Sequence, residues 1–312
     1  MLKKIVVKEI RKSGFITFDR FVELSLYHPE FGYYTKKRVK NVLGEDFITA
    51  PELTSAFGKV LAFYIKKKYQ ELKLPLRILE LGGGKGFLIK DITDSISVDK
   101  YTVLEVREKP NWIDGVNWIS SLSDLGEFSG FIVANEFFDA FPFKRIVKRG
   151  KKHYEVVVTE DRGFLKEELI EFEGEVPCSL NEGEEYPLFM WKDFLWELSE
   201  KIKRAYLIVF DYGNSCGELS FRAYRSNRLV NDYLEKIGET DLTASVDFTY
   251  LRSLLEKVGF KFVSLKPQSS FLLENGIERF LKPSDVPAAL TLLVDMGRKF
   301  KVLEVLKEVS PF

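Results

Sequence analysis

Histidine and cysteine are scarce in this 312-residue chain: His28 and His153 are its only histidines, Cys178 and Cys216 its only cysteines. Two histidines leave a histidine-based zinc site or a Ser-His-Asp triad poorly supplied, so no metal centre is expected. Two cysteines in so long a chain are able to pair, but they read as the reduced thiols of an intracellular protein. Excess charge of either sign is missing too. The 47 basic and 47 acidic residues cancel, so nothing in the bulk charge invites nucleic acid, and no acidic tail is visible. No apolar run reaches the ~18–20 residues of a membrane span. The opening MLKKIVVKEI has neither the apolar core of a signal peptide nor the Arg/Ser-rich pattern of a transit peptide. The expectation is a cytoplasmic protein with no membrane insertion and no nucleic-acid partner.

Charged residues make up 30% of the chain, above the usual ~25%. Lys and Glu carry that excess, which suits a heat-adapted source. Residues 1–75 read as an N-terminal helical region, broken at Ser13-Gly14 with Thr17 as a cap. Within it, Thr49-Ala50-Pro51-Glu52 fits a capping box that opens a helix through LTSAFGKVLAFYIKKKYQEL. From Arg77 onward apolar strands alternate with amphipathic helices: RILEL, TVLEV, FIVAN, AYLIVFDYG and KFVSLK are the strands, FLIKDITDSI and FTYLRSLLEKVGF the helices. That order predicts an α/β fold with a mostly parallel sheet covered on both faces. Residues 76–145 and 204–312 form its Rossmann-like core. HYEVVVTEDRGFLKEELIEF breaks the rhythm with hairpins turning near Asp161-Gly163, so 146–203 reads as an inserted α+β subdomain.

Glu80-Leu81-Gly82-Gly83-Gly84-Lys85-Gly86 stands where the first strand hands over to a helix. Glycines there let the backbone turn sharply and approach a ligand. A P-loop needs Ser or Thr after Gly-Lys, and Lys85 is followed by Gly86-Phe87. The dinucleotide fingerprint is G-x-G-x-x-G, whereas Gly82, Gly84 and Gly86 give G-x-G-x-G. That spacing behind an acidic residue is the pattern of class I S-adenosylmethionine methyltransferases; a plain structural turn is the bland alternative. Glu105 closes the second strand, where a carboxylate accepts ribose hydroxyls and disfavours a 2′-phosphate. Asp124 follows the third strand, near the expected adenine position, although Asp is ordinary in such a turn.

FIVAN then runs from an apolar core into Asn135 and Glu136. Ligands of open α/β sheets bind outside the carboxyl ends of the strands, so these two polar groups would face a donated methyl group. A carboxylate holds a guanidinium bidentately and favours its proton loss; an amine or hydroxyl acceptor could use the same pair. A helix cap at Asn135 is the alternative, and Asp139 and Pro142 could be helix punctuation.

The blocks YHPEFGYYTKK, GEDFITAPELTSAFG, ELGGGKGFL, ANEFFDAFP, FRAYRSNR and ETDLTASVDF together resemble the MidA family, in its order and over most of the chain. The resemblance implies a class I methyltransferase fold, S-adenosyl-L-methionine as cofactor, and a substrate-binding insertion. A mitochondrial member of that family makes symmetric dimethylarginine on a respiratory complex I subunit, so a protein acceptor of that kind is implied. Gly82, Gly84 and Gly86 then match the cofactor loop, Glu105 the ribose carboxylate, and Asn135, Glu136 and Asp139 the catalytic block. Asp46, Thr49, Pro51 and Glu52 match a loop covering the cofactor. Asp241, Thr243, Ala244, Val246 and Asp247 fall in a block beside the acceptor. Gly83 stands where the family usually has proline, implying a more flexible loop, and the insertion is shorter than in many members. Arg222, Arg225 and Arg228 read as partners of carboxylates. Phe31, Tyr33 and Tyr34 line an acceptor channel or pack a core. Competing functions are an assembly factor that binds the cofactor without catalysis, a small-molecule methyltransferase, and a nicotinamide-dependent oxidoreductase, against which the glycine spacing argues.

Overall fold

The computed structural model describes residues 1–35, 48–216, 219–226 and 228–308; Asp46 lies outside them. Helices α1 (Leu2–Ser13) and α2 (Phe18–Tyr27) flank the short strand β1 (Ile16–Thr17), and α3 (Ala50–Leu53) and α4 (Ser55–Leu72) follow. Next come β2 (Arg77–Leu81), α5 (Phe87–Ser95), β3 (Lys100–Leu104), β4 (Asn117–Ile119) and β5 (Phe128–Asn135). Strands β6 (Phe143–Arg149), β7 (Lys152–Asp161), β8 (Phe164–Phe172) and β9 (Glu185–Phe189) precede α6 (Lys192–Lys201), which runs straight into β10 (Ile202–Asn214). The remainder is β11 (Phe221–Arg225), β12 (Arg228–Leu229), β13 (Asp241–Ala244), β14 (Val246–Asp247), α7 (Phe248–Lys257), β15 (Lys261–Pro267), α8 (Gln268–Glu274), α9 (Val286–Leu290) and β16 (Phe300–Lys307).

The chain divides into two compact units. One comprises Ile48–Phe138, Lys192–Gly213 and Phe248–Phe312. Its sheet has the order β15-β16-β10-β5-β2-β3-β4. Strands β10, β5, β2, β3 and β4 run parallel, while β16 is antiparallel to both of its neighbours. Parallel strands buried on both faces need continuous apolar runs, and Phe131 to Ala134 in β5 are all fully buried. Helix α4 lays Phe57, Val60, Leu61, Tyr64 and Ile65 on this core, at the spacing of one helix face. This is the class I methyltransferase fold. The predicted helix from Ala50 onward is interrupted: Thr54 is extended (φ −162°, ψ 143°), and its hydroxyl accepts the Ala56 N–H at 3.1 Å, capping α4.

The other unit comprises Met1–Phe47, Asp139–Trp191 and Asn214–Asp247. It holds an antiparallel sheet ordered β1-β7-β6-β9, with β8 paired to β7, and a smaller sheet ordered β12-β11-β13. In α1, Leu2, Val6 and Ile10 are buried, one per turn. This division departs from the domain boundaries expected from sequence. The helices α1 and α2 belong with the antiparallel strands because β1 pairs with β7, Ile16 opposite Val158. Helices α3 and α4 belong with the parallel sheet. Helix α6, expected inside the insertion, belongs there too, because it leads into β10. Residues 214–247 join the antiparallel unit instead of the core.

The cysteines also depart from expectation. Cys178 and Cys216 form a disulfide, with Cα atoms 5.6 Å apart. The reading as free thiols rested on chain length alone; the fold of this unit brings two remote segments within bridging distance. Among the described residues no helix is long and apolar enough to cross a membrane.

Candidate active site

The glycine loop leaves β2 at the carboxyl edge of the parallel sheet. Gly82 has φ +78°, and a Cβ there would lie 2.9 Å from the Phe137 ring. Gly86, at φ +83°, caps α5, and a Cβ would overlap Ile113 Cδ1 at 1.9 Å. Both positions demand a residue without a side chain. Gly84 donates its N–H to Glu105 Oε2 at 3.0 Å. Glu105, 7% exposed, follows the end of β3 and also accepts the Arg107 N–H at 2.9 Å and its guanidinium at 3.4 Å. Asp124 ends a short 3₁₀ turn (Leu122–Asp124) after β4 and is exposed.

Glu80 lies within β2 and is 2% exposed. Burial pushes its carboxyl up to about 8, against the lowering effect of a hydrogen bond from Tyr101 and with a further rise from the charge of Glu105. The Tyr101 hydroxyl donates to it at 2.6 Å. Glu80 is therefore a protonated acid at neutral pH, enclosed in the sheet. Thr49 donates to Glu52 Oε1 at 3.2 Å, and Lys85 of the glycine loop donates to Glu52 Oε2 at 2.6 Å. Pro51 is buried. The expected capping box is thus altered: Thr49 bonds the Glu52 side chain and caps no backbone N–H.

At the end of β5 the chain turns through Glu136 with φ +51°. A glutamate in this left-handed region is strained by ~1–2 kcal/mol. Its N–H donates to Phe210 O at 2.8 Å, continuing the pairing with β10. Glu136 Oε1 accepts the Ala50 N–H at 3.2 Å and the Asn135 amide at 3.3 Å. Asn135 Oδ1 is buried and has no hydrogen-bond partner among the described residues. Two residues on, the Phe138 N–H donates to Oδ2 of the fully buried Asp211 at 2.9 Å, and Asp211 Oδ1 accepts the Tyr212 N–H at 2.9 Å.

In the antiparallel unit, Thr243 donates to Asp139 Oδ2 at 3.2 Å. Burial pushes the Asp139 carboxyl up to about 6, partly offset by hydrogen bonds from Thr243 and from backbone N–H groups. Tyr34 donates to Asp241 Oδ1 at 3.0 Å, and Tyr186 to Asp247 Oδ2 at 2.8 Å. Burial, then the Asp241 charge, holds the Tyr34 phenol well above its ordinary range. Ala244 and Val246 are fully buried. Tyr33 is buried, and Phe31 stacks on His28 at 5.2 Å. Arg225 pairs with Asp232 at 2.8 Å, as the carboxylate reading of that arginine cluster expects.

The structure thus gathers Gly82, Gly84, Gly86 and Glu105 at one loop, and Asn135 and Glu136 beside Ala50. Sequence reasoning missed Tyr101, Arg107 and Asp211. Asp211 carried a usable signal, because AYLIVFDYG ends an apolar strand in a carboxylate just as FIVANE does. The donor set fits S-adenosyl-L-methionine: a glycine turn, a carboxylate following the second parallel strand, and a buried unpartnered amide oxygen at the fourth.

A sequence profile for S-adenosyl-L-methionine-dependent methyltransferases (Methyltransf_28) matches residues 60–265. The Caenorhabditis elegans protein named protein arginine methyltransferase NDUFAF7 homolog, mitochondrial, is 28% identical over 227 residues, 58% of this chain and 53% of its own length. The human protein arginine methyltransferase NDUFAF7, mitochondrial, is 28% identical over 203 residues, 52% of this chain and 45% of its own. The chain spans about half the length of the curated relatives it matches. A COG1565 superfamily member from Burkholderia thailandensis, solved with S-adenosyl-homocysteine, superposes with a TM-score of 0.88 at 23% identity, over 99% of this chain and 92% of that one; it shares the fold. With the profile covering most of its length and the glycine loop in place, this chain belongs to the MidA family of S-adenosyl-L-methionine-dependent methyltransferases.

Proposed function

We propose that the chain is a protein-arginine N-methyltransferase. The observation that carries this reading is Glu136, which follows β5 with a left-handed backbone and whose carboxylate is bonded by Ala50 and Asn135. When bound, the cofactor supplies an electrophilic methyl group on a sulfonium. The protein must bind and orient the acceptor and take up its proton. A guanidinium is protonated at neutral pH. Glu136 is assigned to hold it through charge-assisted bonds and to favour the proton loss that accompanies methylation. Asn135 Oδ1 is assigned a second N–H of the acceptor, which would satisfy a buried group that otherwise lacks a partner.

On the cofactor side, Glu105 is assigned the ribose hydroxyls; its oxygens keep lone pairs beyond the bonds from Gly84 and Arg107. Gly82, Gly84 and Gly86 give close backbone approach, Asp124 the adenine side, and Thr49, Pro51 and Glu52 a cover. Glu80 supports the loop from within β2. The antiparallel unit is assigned to acceptor recognition, through Asp139, Asp241, Thr243 and Asp247. The relatives named as arginine methyltransferases favour a protein acceptor. Symmetric dimethylation of a respiratory-complex subunit is the narrower form of this proposal, resting on the family resemblance.

The test is calorimetric titration with S-adenosylhomocysteine, NADH serving as control, together with transfer of tritium from labelled cofactor to protein. Glu136→Ala should keep its affinity within severalfold and lose transfer by about a thousandfold. Undiminished transfer by that variant would remove Glu136 from the chemistry, and mass spectrometry showing methylation only at lysine or on small molecules would remove arginine.

A further inference from the structure

Four described non-glycine residues have left-handed backbones: Lys73, Glu136, Arg162 and Ser226. Lys73 closes helix α4, while Arg162 and Ser226 sit in the turns of the β7–β8 and β11–β12 hairpins. Such conformations are common at caps and hairpin turns. Glu136 differs, since it follows a parallel strand whose central residues are buried. A strained residue persists only where its surroundings over-determine it.

Three contacts do this. Before the turn, β5 is in register with β10 up to Asn135 opposite Phe210, and the Glu136 N–H continues that ladder onto Phe210 O. After the turn, Asp211, the next residue of β10, takes the Phe138 N–H at 2.9 Å. Between them, the Phe137 ring fills the space that a Cβ on Gly82 would need. Asp211 is fully buried, and a carboxylate bonded by backbone N–H groups is a strong acceptor that tolerates little displacement. The two ends of the Glu136 turn are therefore pinned to consecutive residues of one strand.

We propose that Asp211 is a positioning residue for methyl transfer, which locks residues 136–138 so that the Glu136 carboxylate is held ready for the acceptor. It acts through Glu136 and touches neither ligand. This inference rests on the reading of Glu136 given above.

Asp211→Asn keeps the size of the side chain but offers one acceptor oxygen where two N–H groups now bond. The expected result is S-adenosylhomocysteine affinity within about threefold of the parent, kcat for tritium transfer to cell-extract proteins lower by about a hundredfold, and KM little changed. Amide exchange at Phe138 should quicken by at least about tenfold, while amides in β2 stay protected. If Asp211→Asn fails to fold, Asp211→Ser, which retains one smaller acceptor, takes its place with the same expectations. Faster exchange at Phe138 with unchanged kcat overturns the positioning role, as does a loss confined to KM. Unchanged exchange at Phe138 overturns the lock itself. Transfer that is absent from the unmodified protein overturns the methyltransferase reading and this assignment together. Transfer that survives Glu136→Ala but not Asp211→Asn shows that Asp211 acts through some other group.

Discussion

The two units solve different problems with different chemistry. The parallel unit places Glu105 and Glu136 at the carboxyl edge of its sheet, seals Glu80 and Asp211 inside, and sets glycines where the chain must turn. The antiparallel unit holds three of its buried or partly buried aspartates with hydroxyl groups, Thr243 on Asp139, Tyr34 on Asp241 and Tyr186 on Asp247, and closes itself with a covalent bridge. The contrast teaches that a cofactor common to many enzymes imposes a local, repeatable backbone pattern. The contacts of the antiparallel unit leave no such pattern, because they join side chains far apart in sequence, Tyr34 with Asp241 and Thr243 with Asp139.

The contrast can be broken at several points. The largest effect is expected from Glu80→Gln in the parallel unit. Its folded pKa of about 8 stands above the unfolded value of ~4.3. Between those values the unfolded chain has lost a proton that the folded chain keeps, so stability falls as pH rises through this window and is level above it. The variant should remove on the order of 4 kcal/mol of that decline, read as denaturant midpoints at pH 5 and pH 8; parallel profiles would contradict the buried-acid assignment. Next, Cys178→Ser with Cys216→Ser should cost about 4 kcal/mol, because the bridge spans 38 residues. The loss should appear as faster amide exchange in β6 and β9, and equal exchange with and without the bridge would contradict its stabilising role. Gly86→Ala should cost about 2 kcal/mol or more from its positive φ and the clash with Ile113, and should weaken S-adenosylhomocysteine binding in calorimetry. Thr54→Ala, which uncaps α4, should cost about 1 kcal/mol in thermal or urea unfolding, without altering affinity.

The parallel unit was largely legible. Alternating strands and helices, the G-x-G-x-G loop, Glu105 and the Asn135-Glu136 strand end follow from periodicity and from what strand termini do in open sheets. Its misreading was local. Gly83 looked like added flexibility in place of proline, yet a Cβ there would stand 2.4 Å from Val103 Cγ1 and 3.1 Å from the Trp118 ring. The loop is tightly packed, and the space of the missing side chain is taken by neighbouring strands. The antiparallel unit was legible only as hairpins. Nothing in the sequence links β1 to β7, and the two cysteines, though able to pair, give no sign there of lying close, because pairing between remote segments is decided by which apolar faces meet, and a single sequence shows faces without their partners. The same holds for Tyr101, whose role depends on β3 lying beside β2.

The chain passes from one unit to the other five times. Strand β10, in the interior of the parallel sheet, lies between β5 and β16, and β16 is made of residues 300–307. During synthesis, therefore, neither unit closes early: one waits for residues up to 247 and the other for those beyond 300. Apolar strands such as FIVA must emerge from the ribosome long before their final neighbours exist, which favours slow folding and exposure to aggregation. An N-terminal fragment ending after the glycine loop would carry the recognisable signature and, of the sheet that gives it shape, β2 alone.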